Sequence, residues 1–474
     1  MIRLFNLYSI SAFLLLILFS CQSQIMQNEI KELSQAESST WRISKESTVL
    51  TSEDAMKVAM QFSSSGLPET RGNEFIRSIV PVKEGNEESL LYGVNFEDGY
   101  LLISGTKNYY PILAEVEHGY FDGTPTGTGA DVLLEEMKEN IRTVNANPEL
   151  RVDHSVWSQY EELDSSEYKP ETRSGLDDVL YDFMYDLGVD GWTVYSLRNQ
   201  PEDMPDDLYL QFCDAAFDEC GEDPDYDYNY YTFIAGKPFQ SVLTKGPLIT
   251  TSWGQRAPYN YPNTNPLGCT TIATGQVMRF FEFPPYNGDE SSSVFFPYYL
   301  SEMPDTICSY NANLCGFLYE LKYQIGVYTE GGSNTQNVVN ALQHYWYTCR
   351  QITHRADSVY SSVNNDRPVL MFGEDSSTGA GHAWVCDGTR EYDTYNLYRL
   401  YVFRYEDGVP SYYDLELEEP ANRVNYVLYH MNWGWKGSYD GYYHDTNLNT
   451  YPQGDSFNPI YGREEVLVNK PREL

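Results

Sequence analysis

Apolar positions along this chain follow two periods. In TSEDAMKVAMQF they fall at Ala55, Val58, Ala59 and Phe62, one face of a helix, behind a Thr51 or Ser52 cap and first-turn acids. SLLYGVNF and GYLLISG then form two apolar runs joined by Glu97-Asp98-Gly99, which predicts a β-hairpin. YYPILAEVEHGYFDG predicts a further strand and turn, so residues 48–125 read as a small α+β unit. Residues 130–145 and 175–187 read as helical. The stretch 199–230, with PEDMPDD and GEDPDYDYNYY, is acidic and contains proline, and predicts an exposed loop or linker. From about Pro247 the chain becomes rich in Trp, Tyr, Gly and Pro. There CTTIATGQVMRFF places Ile272, Ala273, Val277 and Phe280 or Phe281 along one helical face, while NLYRLYVFRY and RVNYVLYHMNW predict strands.

The N-terminus has a different pattern. MIRLFNLYSISAFLLLILFSC has a basic start at Arg3 and an apolar run from Ile10 to Phe19, shorter than the ~20 residues a spanning helix needs. It reads as an export signal. Its end, LFSC, resembles a lipobox, which would make Cys21 the lipidated first residue of the mature protein; cleavage by a general signal peptidase is the alternative. The expected organisation is a signal at 1–21, a tether at 22–47, the α+β unit at 48–125, a helical and acidic linker region at 126–246 and a main domain at 247–474. The expected location is the cell envelope of a Gram-negative type of cell, or the medium after processing.

Charge narrows the partners. With 31 Lys and Arg against 69 Asp and Glu, the net charge is −38, which argues against nucleic acid and against anionic lipid. Neither CxxC nor HExxH occurs, so neither a zinc site nor any other metal or cofactor is expected. Beyond Cys21, Cys213 with Cys220 and Cys308 with Cys315 are close enough in sequence to pair, and the connectivity stays open.

The candidate chemistry lies in four short motifs. In NPLGCTTIATGQVM, Cys269 stands at the start of a helix, where the partial positive charge of the helix end favours a thiolate. In STGAGHAWVCDG, His382 opens a short buried strand and is a candidate base. In HMNWGWKGSYDGYY, Asn432 can orient an imidazole, and Trp433 and Trp435 can cover that bond. In TSWGQRAPYN, Gln255 can donate its amide to a developing oxyanion.

Taken in order, these motifs resemble the streptopain family of papain-like cysteine peptidases across nearly all of residues 247–447, and IGVYTEGGSNTQNVVNALQHYW resembles the family's segment between Cys and His. Residues 48–120 resemble, more loosely, the inhibitor-like propeptide domain of such enzymes. The resemblance implies an α+β, papain-like two-lobe fold, with a Cys-bearing helix packed on an antiparallel sheet that bears the His, preceded by a small α+β prodomain. It also implies a zymogen acting on protein or peptide substrates, with its own propeptide as intramolecular inhibitor. Cys269 is then the nucleophile, His382 the general base and acid, Gln255 the oxyanion donor, and Asn432, Trp433 and Trp435 the supporting wall. Two features depart from the family: the acidic 199–230 stretch, and residues 389–424, which read as an added hairpin between His382 and Asn432. The alternative is a surface binding protein that kept the fold and lost turnover.

Overall fold

The computed structural model describes residues 42–64, 76–83, 88–161, 180, 183–184, 186–188, 190–220, 230–286, 297–327, 333–374, 381–406, 409–444 and 463–469. Cys21, the signal, most of the tether and residues 221–229 of the acidic stretch lie outside these. Among the described residues, no helix is long and apolar enough to cross a membrane.

The elements are α1 (Ser52–Ser64), β1 (Ser78–Lys83), β2 (Ser89–Asn95), β3 (Tyr100–Ser104), β4 (Ile112–Val116), α2 (Gly129–Ala146), β5 (Thr193–Ser196), α3 (Asp206–Cys220), β6 (Tyr230–Lys245), α4 (Cys269–Phe281), α5 (Ala312–Ile325), α6 (Thr335–His344), β7 (Thr348–Thr353), α7 (Ala356–Asn364), β8 (Val369–Glu374), β9 (Gly381–Glu406), β10 (Val409–Asn432), β11 (Gly441–His444) and β12 (Glu464–Asn469). Helices thus combine with one antiparallel sheet, ordered β1-β2-β3-β4-β11-β10-β9-β8-β12-β7. β6 joins this sheet beside β9, and β5 pairs with β6.

The alternation of side chains along the strands divides two cores between the two faces. Trp384, Cys386, Val369 and Met371 face α1, α2 and the N-terminal strands. Ala383, Val385, Leu370 and Phe372 face α4, α5 and α6. The predicted α1 face is buried at Ala55, Val58, Ala59 and Phe62. The predicted hairpin is β2–β3, with Asn95 opposite Tyr100. α4 differs from the expected single apolar face: Thr270 through Met278 are all buried, because the helix is surrounded by its neighbours.

The expected loop at 199–230 is corrected. Asp206–Cys220 is helix α3, opened by Asp206 and Asp207, where the helix dipole favours acids. Phe212 and Ala216, four apart, are buried with Ile234, Leu400 and Ala421. The acidic flanks hid this short apolar stripe. The added hairpin is the distal part of β9–β10, and β6 pairs along β9 from Lys245 to Tyr230. On the other face of this extension, Phe233 stacks on Tyr401 and Phe403. The two departures from the family therefore pack on one another as a single layered extension. Cys308 is exposed and Cys315 donates to the Pro258 carbonyl at 3.5 Å, so these two are separate thiols.

The N-terminal strands meet the remaining sheet at β4–β11, where Glu115 lies opposite Tyr442. A Cβ on Gly441 would come within 2.4 Å of the Glu115 carbonyl oxygen, so only glycine permits this approach. Charges are buried along the seam. Arg390 pairs with Glu115 and lies over the Tyr442 ring. His430 Nδ1 bonds Asp387 Oδ1 at 2.7 Å. Asp440 Oδ1 accepts from the Trp433 N–H at 2.9 Å. Burial pushes Asp440 up to about 7; the Trp433 N–H and His430 oppose this, while Asp387 and Glu117 add to it. For His430, burial disfavours the charged form, but the charge and hydrogen bond of Asp387 outweigh it and, with Asp440 and Glu117, raise the pKa.

Both groups give stability the same sign. Between about pH 4 and about pH 7 the folded chain holds the Asp440 proton that an unfolded chain has released, so stability falls as pH rises through that window and levels above it. His430 stabilises fully below about pH 6.5, and that contribution is lost as pH rises through its raised pKa. Asp440→Asn keeps an acceptor for Trp433 and removes one titration. Its urea midpoint should gain on the wild type as pH rises from 5 to 8; a difference that does not change with pH would contradict the assignment.

Candidate active site

The site begins with the loop before α4. Leu267 N–H donates to the Gln255 carbonyl at 2.9 Å, and Thr271 Oγ1 donates to the Leu267 carbonyl at 2.8 Å. Lys322 Nζ, from α5, donates to the Pro266 carbonyl at 2.6 Å. Gly268, at φ 90°, precedes the helix and directs Cys269 into its first turn. The half-buried thiol meets the backbone N–H groups of Ala383, Thr270 and Cys269 itself. Burial raises its pKa, and those three donors only partly offset the rise. At neutral pH in this arrangement Cys269 is a thiol.

Ala383 is the residue after His382, so the structure brings the two motifs together at one sheet end. His382 lies opposite Gly373 in the β8–β9 register. Alternation places it on the face of Trp384, whereas Ala383 lies on the face of the thiol. The Trp384 face is occupied by the N-terminal half of the chain. Trp384 and Trp433 pack at 5.2 Å between centroids, and Gly129, at the start of α2, sits against both: a Cβ there would meet Trp433 at 2.5 Å and Trp384 at 2.7 Å. Val132 continues this contact toward Gly373.

The remaining motif residues divide. Gln255 is half-buried beside the loop that precedes Cys269, held there through its backbone. Trp433 is buried, with its indole N–H on the Tyr439 carbonyl at 2.8 Å, and Trp435 is 37% exposed in a bridge with Gly254. Asn432 is buried, and its side chain is engaged in a polar ring rather than on an imidazole. Its oxygen accepts from Gln276 Nε2 at 2.9 Å and from the Gly434 N–H at 3.2 Å, and its Nδ2 donates to the Thr251 carbonyl at 2.9 Å. Gln276 Oε1 closes the ring by accepting from Thr251 Oγ1 and the Trp253 N–H, both at 3.1 Å. The ring joins the Cys helix, the SWGQ segment and the NWGW loop. The sequence reading gave Gln276 no role, although it stands in the Cys269 motif; its polarity within a fully buried turn was the available signal.

Two cavities flank these elements. One of about 580 Å³ lies between α7 and the β7–β12 edge and contains none of the motif residues. One of about 130 Å³ is lined by Leu267 and Lys322, beside the nucleophile loop. No cluster of side chains suited to a metal ion occurs among the described residues.

No curated protein matches the chain. Among solved structures it is similar to a fragment of Prevotella intermedia prointerpain A carrying a cysteine-to-alanine mutation, at 18% identity and a TM-score of 0.43, covering 83% of this chain and 99% of that one. It is also similar to active wild-type interpain A cysteine protease of the same organism, at 21% identity and a TM-score of 0.30, covering 47% of this chain and 94% of that one. The Peptidase C10 family matches residues 253–443. That segment contains Gln255, Cys269, His382 and Asn432, and the match agrees with the motifs' resemblance to the streptopain family.

Proposed function

We propose that this chain is the exported zymogen of a cysteine endopeptidase. The observation that carries the reading is the contact of the Cys269 thiol with the backbone N–H next to His382, within the segment that matches the peptidase family. In this reading α4 to α6 form one lobe and the sheet end bearing His382 the other, as in a papain-like enzyme. Residues 48–125 are the inhibitory propeptide and 126–246 the linker region that includes α2. The lipid anchor at Cys21 and the cell-envelope location belong to the same reading.

The chemistry follows from the residue types. With the N-terminal half displaced, His382 turns from the Trp384 face toward Cys269 and takes its proton. The sulfur attacks a peptide carbonyl carbon, forming a C–S bond. Gln255 and the Cys269 backbone N–H receive the oxyanion. His382 gives its proton to the leaving amine as the C–N bond breaks, then takes one from the water whose oxygen attacks the thioester, and the C–S bond breaks. In the intact chain two features oppose this: the thiol is raised by burial, and α2 packs on Trp384 and Trp433, the face to which His382 is assigned.

Casein cleavage and self-processing should both vanish in Cys269→Ala and in His382→Ala, because nucleophile and base act as a unit. Gln255→Ala should lose on the order of 10²-fold in turnover. Cleavage by a verified Cys269→Ala protein would overturn the reading.

The cut alone should leave a nicked complex, with activity appearing only once the N-terminal piece comes away. Asp206–Cys220 is helix and Tyr230–Lys245 is a paired strand, and the sequence between them, 221–229, is acidic and contains proline; the proposed cut lies there. Both pieces would still share β5–β6 and β4–β11. N-terminal sequencing of the active species should find a start within 221–229, and gel filtration of the freshly cut protein should find both pieces together. An intact, uncleavable chain as active as the cut one would show that the N-terminal half is not an inhibitor.

A further inference from the structure

Among the described residues, Lys322 is a buried cation with no carboxylate partner. Its side chain is 9% exposed and donates to the Pro266 carbonyl, a neutral acceptor, while burial disfavours its charge. Other buried cations of the chain each face an acid: Lys107 faces Glu161, Arg390 faces Glu115, and Arg463 faces Glu136 at 3.0 Å. A chain with 69 Asp and Glu residues does not lack counter-charges, yet no acid among the described residues is placed here. Burying an ammonium without one is costly unless something else supplies it.

What lies beside Lys322 is space. The pocket of about 130 Å³ is lined by Lys322, Leu267, Asn263, Asn265, Tyr319 and Tyr323. Tyr319 donates to the Tyr323 hydroxyl at 3.0 Å, and both rings are substantially exposed. Lys322 has two ammonium hydrogens beyond the one on Pro266, and the amides of Asn263 and Asn265 are further donors in the lining. The donor set suits an anion that accepts several hydrogen bonds. The position is equally specific. Pro266 precedes Cys269 by three residues, a span of at most ~11 Å, so the pocket borders the loop that leads into the Cys269 helix.

We propose that this pocket is a carboxylate-binding subsite, and that the peptides cleaved fastest present a carboxylate to Lys322; this rests on the peptidase reading above. The net charge of −38 makes the choice of a carboxylate a local matter: the overall field repels acidic peptides, and Lys322 has to offset that where the peptide docks. The carboxylate comes from an Asp or Glu side chain or from a peptide C-terminus, and matched substrates separate these sources.

The test uses fluorogenic peptides that differ only as Glu or Gln at each of three positions on either side of the scissile bond, together with C-terminal acid and amide pairs. The activated protein should prefer one acidic member by about ten-fold or more in kcat/KM, the order expected of a charge-assisted bond. Lys322→Met should reduce that preference to about one, and Lys322→Arg should keep most of it. A side-chain pair responding identifies an internal acidic residue, and a terminal pair responding identifies a C-terminus. No preference in the wild type, or an equal loss on both members in Lys322→Met, would overturn the proposal and leave Lys322 only as the anchor of Pro266. A separate arm measures calorimetric binding of the same pairs to the full-length Cys269→Ala protein and needs no turnover. If no form cleaves any peptide, the peptidase reading fails, and binding of the acidic member that depends on Lys322 still supports the subsite. Equal binding of both members would overturn it.

Discussion

The short antiparallel pairing of Ile112–Val116 with Gly441–His444 is the constraint on which the rest of the arrangement depends. It makes the N-terminal strands and the later sheet one continuous structure. It also aligns the N-terminal core with the face that carries Trp384 and Trp433, so that α2 lands on those rings at Gly129. Only three residue pairs form the junction. Its strength comes from what surrounds it: the Arg390–Glu115 pair, the Arg390–Tyr442 stack and the buried His430, Asp387 and Asp440. Removing one partner of such a buried pair costs about 3–5 kcal/mol because the other charge is stranded.

The same seam reaches the site through one residue. Asp440 holds the Trp433 N–H, Trp433 follows Asn432, and Asn432 is tied by Gln276 to the helix that begins with Cys269. The hydrogen bonds of this path are buried or partly buried, and orphaning a buried member would cost about 1–3 kcal/mol. Cys269 is therefore held by its neighbours while burial raises its pKa, a combination that fits the proposed latent state.

Much of this was legible in the sequence because local signals agreed with the fold. The α1 periodicity, the Glu97-Asp98-Gly99 hairpin, the helix start at Cys269 and the strand start at His382 each follow from short-range rules. What was not legible depends on contacts distant in sequence. Helix α3 lies under acidic flanks, and its Phe212–Ala216 stripe gains meaning only against Leu400 and Ala421. Asn432 is of the residue type expected at such a site, yet its partner Gln276 precedes it by 156 positions, and nothing local separates that ring from a bond to imidazole. Lys322 was passed over because a lysine in a helix is ordinarily solvated; only its burial without an acid sets it apart.

The central claim is that one chain both builds and closes the site, with Cys269 kept as a thiol until the N-terminal half leaves. The most direct measurement is the rate of Cys269 alkylation by iodoacetamide at pH 6, followed by peptide mass spectrometry, in the intact chain and in the separated C-terminal piece beginning near Tyr230. The account predicts slow alkylation in the intact chain and alkylation faster by at least about ten-fold in the separated piece, as a paired thiolate reacts at that pH and a buried thiol does not. Equal rates in the two would contradict it.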